Sequence, residues 1–363
     1  MIKKIFSRKF FKTFTITLVV IFAAAAGGYA AFRALIQAPD LQDYVYVNIN
    51  IPRPPQISDE GVVIINPGDS HTQRPAFGET NDDRLLPEVI RMTRRPNFYT
   101  VLVFGLDSTN NVDAIMVAAY DTVRQRIYTI SIPRDTLVDA ERNLRKPVAA
   151  YAAGRRDGGG HEGGVEQLKD DIQSLLGFRV DFYVMVRFDA FVRMVDAVGG
   201  VEIYVPFHMR YFDPCDDLDI NIPPGLQVLD GENALHFVRF RQAYPGYRSV
   251  TDYQRMANQQ LVLRTLFAEI MSPRTIVRIP EFIRIYSAHV RTDLTNRNKL
   301  YFADHALSIP TMQNFTLPTT GTSGAPRWYE LPDRDGIIEL VNRTVNPFNE
   351  RITAEMLRIA SLT

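Results

Sequence analysis

One cysteine among 363 residues, Cys215, excludes an internal disulfide framework, so cysteine usage does not mark a redox compartment. Net charge is missing as well. The 41 basic residues are matched by 41 acidic ones, leaving no overall field to attract a nucleic acid, which is not expected as a partner. No internal repeat occurs at periods of about 20 to 50 residues, which argues against a solenoid. Also absent are a phosphate-loop lysine signature, a serine nucleophile elbow and a paired-histidine zinc motif, and the six histidines are scattered. ATP hydrolysis and zinc chemistry therefore lack support. GGGHEG from Gly158 has the spacing of a dinucleotide fingerprint but follows AAYAAGRRD, not an apolar strand, and reads as a flexible loop before a helix. The acidic stretch DPCDDLDIN, with Asp213, Asp216, Asp217 and Asp219, lacks the glycine and terminal glutamate of a calcium loop and reads as solvated.

Only one long uncharged run is present, Thr13 to Phe32, and it follows Lys3, Lys4, Arg8, Lys9 and Lys12. About 20 such residues suffice to cross hydrocarbon as a helix, and the positive flank should stay inside. Residues 1–12 are thus expected to be cytoplasmic, 13–36 a single-pass anchor in the cell membrane, and the remainder extracytoplasmic. A cleaved signal peptide is the competing reading, although its apolar region normally runs only about 7 to 15 residues. Both readings export the rest. Residues 37–97 carry eight prolines with little periodicity and suit an extended linker.

From Tyr99 the pattern changes. YTVLVFGL, AIMVAAY and IYTISI are short apolar runs that suit neighbouring strands, and VDFYVMVRF and VEIYV suit further ones. Helices are expected in VEQLKDDIQSLLG and DAFVRMVDAVGG, each closed by glycine, and from about Thr251 to Met271. This alternation predicts an α/β/α sandwich with a central mixed sheet over residues 98–350, preceded by the transmembrane helix and followed by a tail at 351–363.

Asp107 directly follows an apolar strand ending at Leu106 and Asp113 directly precedes one beginning at Ala114, so both should lie at one end of the sheet. Two carboxylates a short loop apart fit a magnesium ion that leaves positions for phosphate and water; ordinary turn residues would look the same. Pro133 ends a strand and presents Arg134 and Asp135. Arg239 and Arg241, two residues apart, would project to one side if that segment is extended, suiting them to a polyanion or merely to solvent. Asp252, Arg255 and Gln259 stand at i, i+3 and i+7 on one helix face, where Asp252 can pair with Arg255. Cations about 5 Å apart would repel by roughly 3 kcal/mol per pair at an effective dielectric near 20, so convergence of the four arginines would call for an anionic occupant.

The succession VFGLDS, VDAIMVAAYD, SIPRD, KPVAAYAAG, FDAFVRMVDAVGGVEI, LDGENALHFVRFR and DYQRMANQQ resembles, in its order, the LytR-CpsA-Psr family. That resemblance implies a pocket for a polyprenyl chain, arginines on its pyrophosphate and an aspartate-bound magnesium ion. Carried over by motif, Asp107 and Asp113 match the metal site, and Arg134, Arg239, Arg241, Arg255 and Gln259 match the pyrophosphate site. Arg134, Asp252 and Arg255 are the expected catalytic set, with Asp252 orienting Arg255 or taking a proton. Asp135 matches in a structural role. Two departures are the very short connection between Asp107 and Asp113 and the GRRDGGGHE stretch from Gly154.

The expected activity is transfer of a glycopolymer from a polyprenyl-pyrophosphate carrier to a hydroxyl of peptidoglycan or another envelope acceptor, forming a phosphodiester. A donor that carries its own activated bond suits a compartment with little ATP. Hydrolysis of the same donor and a non-catalytic, lipid-binding regulatory role are the alternatives. Phe188, Phe191, Val192 and Val195 fit a lipid tunnel or an ordinary core equally well.

Overall fold

The computed structural model describes residues 38–41, 44–48, 88–107, 111–213, 218–270, 272, 275, 284–285, 288–306, 311–324 and 327–361. The expected anchor at 13–36 lies outside them, as do residues 1–12; among the described residues no helix is long and apolar enough to cross a membrane. The described chain falls into two units. The smaller comprises residues 38–40 and 294–306; its helix is capped by Thr295, whose hydroxyl accepts from the Asn298 N–H at 3.2 Å.

The larger unit opens with β1 (Tyr44–Asn48) and β2 (Glu88–Met92), an antiparallel pair joining two places in the proline-rich stretch. That stretch is therefore not wholly spacer: Met92 and Arg94 are buried, and Arg94 donates to Asp181 at 2.8 Å. The apolar runs then form β3 (Phe98–Leu106), β4 (Val112–Asp121) and β5 (Arg126–Ser131). Next come α1 (Pro147–Gly154), with proline in its first turn, and α2 (Gly160–Leu176). After β6 (Phe182–Arg187), α3 (Phe188–Val198) begins with no intervening loop.

β7 (Val201–Val205), β8 (Met209–Asp213), β9 (Leu218–Ile222) and β10 (Gly225–Leu229) make two antiparallel pairs, β7 with β10 and β8 with β9. α4 (Gly231–Arg239) starts where Asp230 accepts from the Asn233 N–H at 2.9 Å, a cap contributing about 1 kcal/mol. α5 (Asp252–Ile270), β11 (Val290–Thr292), β12 (Thr311–Thr316), the pair β13 (Thr319–Thr322) and β14 (Glu330–Pro332), and α6 (Arg334–Arg343) complete the unit.

The central sheet runs β11-β6-β3-β4-β5-β12. β6 is parallel to β3 and β12 to β5, while β4 lies between β3 and β5 and is antiparallel to both. It is the expected mixed sheet between helices. Successive strand residues point to opposite faces. Leu102, Phe104, Ile115, Val117 and Ala119 are buried in one cluster with Ala150 and Tyr151 of α1, Leu168 and Ile172 of α2 and Leu340 of α6. A second cluster joins Val201, Ile203, Ile220 and Ile222 of the strand pairs to Val195, Phe237, Val262 and Leu266 of α3, α4 and α5.

Two sequence expectations need correction. The GGGHEG stretch is a loop only in part: non-helical backbone at Asp157 and Gly158 kinks the chain between α1 and α2, and α2 already begins at Gly160, inside the stretch. The reason is close packing, since a Cβ on Gly154 would meet the Gly163 carbonyl oxygen at 2.1 Å. Residues 351–363 are not simply a tail. Ile352, Met356 and Leu357 are buried in the first cluster and cover Gly177, which closes α2 in the left-handed conformation.

Candidate functional site

β3 and β4 keep one register from Phe98↔Asp121 to Gly105↔Ala114, then slip so that Leu106 faces Val112. Asp113 is the extra residue. A bulge of this kind re-aims a side chain at a sheet end. The turn is tied by Asp107, whose N–H donates to the Asn111 carbonyl at 3.0 Å and whose carboxylate accepts from the Asn111 N–H at 2.9 Å.

Arg134 is fixed just beyond β5 by a turn in which Thr136 donates, through its N–H and its hydroxyl, to the Pro133 carbonyl. Its guanidinium reaches Asp113 Oδ1 at 2.5 Å. The same oxygen lies 3.5 Å from Arg255 Nη1, and Arg255 also donates to the Asp113 backbone carbonyl at 3.3 Å. Arg255 is only 4% exposed. Such a cation needs compensation, and Asp252 supplies a second carboxylate, 3.3 Å from Arg255 Nε and 3.4 Å from Arg241 Nε. Asp252 thus bridges two arginines.

Arg239 and Arg241 are not on an extended segment. Arg239 ends α4 and Arg241 follows the helix, with Phe240 between them fully buried in the second cluster. The helix stop, not a strand period, turns both arginines to the same cavity. Arg239 stacks 5.0 Å from the Phe188 ring centroid.

That cavity, about 340 Å³, is lined by Asp107, Asp113, Arg134, Arg239, Arg241 and Arg255, with Tyr211, Asp213, Leu218, Ile220 and Gln242. A second, apolar cavity of about 170 Å³ adjoins it. It lies against Val103, Gly105, Ala114 and Met116 of the sheet and Phe188, Phe191, Leu235, Val238 and Leu263 of the helices. Asp113 and Arg239 line both.

Of the residues read from the sequence, Gln259 is not on the polar cavity. One helical turn beyond Arg255, it lines the apolar cavity and its amide donates to the Val238 carbonyl at 3.5 Å. Phe188 and Phe191 line the apolar cavity, whereas Val195 is fully buried in the second cluster and Val192 lines neither cavity. Asp135 accepts from Lys146 Nζ at 2.9 Å, an arrangement that steadies the chain before α1. Asp213 and Tyr211 were missed. Their hydrogen bond, at 3.1 Å, sits on the cavity wall, and the alternation of β8 offered only a weak sign of it.

Asp107 and Asp113 facing one cavity offer the sparse carboxylate set that magnesium takes when phosphate oxygens and water complete its shell. No group of three or more histidine, cysteine or acidic side chains placed to hold a metal occurs among the described residues.

Residues 72–344 match the LytR_cpsA_psr family. The chain belongs to that family. Among LytR_cpsA_psr relatives it is 28% identical over 233 residues to the polyisoprenyl-teichoic acid–peptidoglycan teichoic acid transferase TagV of Bacillus subtilis (strain 168), covering 60% of this chain and 55% of TagV. It is also 28% identical over 202 residues to the regulatory protein MsrR of Staphylococcus aureus (strain COL), covering 54% and 56% respectively. The chain spans about half the length of these curated relatives. A solved structure of TagT bound to LIIa-WTA shares the fold with a TM-score of 0.55 at 20% identity, over 70% of this chain and 92% of that one.

Proposed function

We propose that the protein transfers a glycopolymer from a polyprenyl-pyrophosphate carrier to a hydroxyl of peptidoglycan or another envelope acceptor. One observation carries the reading: a cationic cavity and an apolar cavity share Asp113 and Arg239 as a common wall. A ligand that is doubly anionic at one end and hydrocarbon at the other fits that pair. TagV, named for such a transfer, is consistent with it.

In this mechanism the hydrocarbon lies against Val103, Phe188 and Phe191, and the pyrophosphate meets Arg134, Arg239, Arg241 and Arg255. The acceptor oxygen bonds to the sugar-linked phosphorus, the bond from that phosphorus to the bridging oxygen breaks, and lipid monophosphate leaves. The hydroxyl proton passes to solvent. The arginines offset the charge that shifts onto the bridging oxygen, and because they are already held in place they need little reorganisation. Asp252 orients Arg255 and Arg241. A magnesium ion held by Asp107 and Asp113 would supply further neutralisation of the phosphates. The apolar run at 13–36 would hold the chain in the cell membrane with this unit outside.

The test incubates the full chain in detergent with a lipid-pyrophosphate-linked glycan and peptidoglycan fragments and follows products by mass spectrometry. A phosphodiester-linked adduct and lipid monophosphate are expected, diminished by chelation. Donor consumption with no adduct in the presence of acceptor would replace transfer by hydrolysis. For topology, protease added to spheroplasts should digest the unit; protection while accessible controls are cut rejects the external placement.

A further inference from the structure

A third cavity, about 690 Å³, opens beside Asn111 and is otherwise lined by residues of α1 and the segments flanking it, among them Asn143, Ala149, Ala152, Arg155 and Arg156. Its size falls within the roughly 300–1,000 Å³ of ligand clefts. We infer that this cleft receives the acceptor, a glycan bearing carboxylates, and that Arg155 and Arg156 select it by charge. The inference rests on the transferase reading and adds the acceptor's location and chemistry.

The first support is position. The apolar cavity runs along β3 and β4 from Val103 to Gly105 and from Asp113 to Met116 and is closed by Phe188 and Phe191 of α3, Leu235 of α4 and Leu263 of α5, whereas α1 packs through Ala150 and Tyr151 on the side of Leu102 and Phe104. Tyr151 and Phe104 lie 5.8 Å apart by ring centroids. The two cavities are therefore on opposite sides of the sheet and both reach the turn between β3 and β4: one touches Asp113 and the other Asn111. Phosphoryl transfer needs attacking and leaving oxygens roughly in line. With the departing lipid phosphate on one side of that turn, an attacking hydroxyl arrives from the other, where the cleft opens.

The second support is charge. Of the three arginines on the cleft, Arg142 is committed to the fold: it meets the buried Asp171 through both terminal nitrogens and donates to the Leu144 and Lys146 carbonyls. Arg155 and Arg156 are exposed, Arg155 resting 5.6 Å from the Tyr151 ring centroid. No ion pair engages Arg156 among the described residues, and its neighbour Asp157 leaves the rim with an excess of positive charge. The alanines Ala149, Ala152 and Ala153 give a low floor on which sugar rings can lie without displacing long side chains.

The experiment measures three bindings by calorimetry on the full chain in detergent: geranylgeranyl diphosphate, a muropeptide tetrasaccharide with free carboxylates, and neutral chitotetraose. Variants are the double R155E/R156E and the single Arg156→Glu, the latter at an exposed site that leaves the fold intact. The muropeptide should bind the double variant at least about fivefold more weakly than wild type, with a smaller loss for the single variant, while geranylgeranyl diphosphate and chitotetraose are unchanged. Added salt should weaken the muropeptide, and geranylgeranyl diphosphate with it, while neutral chitotetraose is unaffected. Unchanged muropeptide affinity in both variants, with geranylgeranyl diphosphate still bound, overturns the cleft assignment and leaves the transferase reading standing. Failure of wild type to bind geranylgeranyl diphosphate overturns that reading and, with it, this one.

Discussion

The two faces of the β3–β4 pair differ although they come from alternate residues of the same strands. On one face Leu102, Phe104, Ile115 and Val117 are at most 3% exposed and packed solid against α1 and α2. On the other, Val103, Gly105 and Ala114 are half-buried beside the apolar cavity. The solid face secures the register, and that register sets which residues the open face presents. Packing and the cavity wall are thereby divided between alternate positions of each strand.

The largest contrast should come from cutting into the solid face. Leu168→Ala should cost about 2–5 kcal/mol, whereas Val103→Ala, beside existing empty space, should cost less than about 1 kcal/mol, as read by urea denaturation. Equal losses would mean that the faces are packed alike.

Next come the arginines that end the open face. Arg134→Ala or Arg255→Ala should lower donor affinity or single-turnover transfer on the order of tenfold or more, and Lys at either place should recover little because the planar fork is gone. Circular dichroism checks folding. If all four single alanine variants, at Arg134, Arg239, Arg241 and Arg255, fold and bind geranylgeranyl diphosphate like wild type, the pyrophosphate assignment fails.

Filling the open face sharpens the comparison further. A Cβ at Gly105 would sit 3.7 Å from Ala114 Cβ and 3.8 Å from the Val186 carbonyl, both ordinary contacts. Gly105→Ile should thus leave the urea midpoint nearly unchanged while reducing geranylgeranyl diphosphate affinity by about tenfold. An unaltered affinity would place the hydrocarbon elsewhere.

The smallest effect belongs to the edge of the solid face, where His161 shares hydrogen bonds with Tyr151 at 2.8 Å and Tyr183 at 3.0 Å. Burial lowers the His161 pKa, with nearby Arg291 adding to it, and pushes Tyr183 up to about 12. A histidine depressed in the folded state contributes fully above its unfolded pKa of about 6.5 and loses that contribution as pH falls. Wild type should therefore lose on the order of 2 °C of Tm between about pH 7.5 and 5.5 relative to His161→Gln, the effect being limited by solvent screening. Parallel Tm profiles would remove His161 as the cause.

The strands were legible because apolar runs such as YTVLVFGL cover both sides of a central sheet, one face buried and the other half-buried, and the glycines closing α2 and α3 marked their ends. Asp107, Asp113, Arg134 and Arg255 could be placed near strand or helix ends by counting. Arg239 and Arg241 could not, because their common direction depends on where α4 stops and on Phe240 entering a core built from distant strands. Asp213 was obscured for a similar reason: its meaning comes from the cavity that β8 borders, not from its acidic neighbours. The burial of Ile352, Met356 and Leu357 depends on contacts with a helix end more than 170 positions earlier, beyond any local pattern.

The single-residue slip opposite Leu106 gives the hairpin a length requirement that is separate from its composition. A chain one residue shorter at this point could continue the regular ladder, keep its hydrophobic pattern and even gain sheet stability. It would also lose the position that turns Asp113 toward Arg134 and Arg255. Removing Asp113 is thus expected to give a better-formed hairpin with a weaker anion site, so under the transfer proposed above the count of residues at this turn matters as much as their identity.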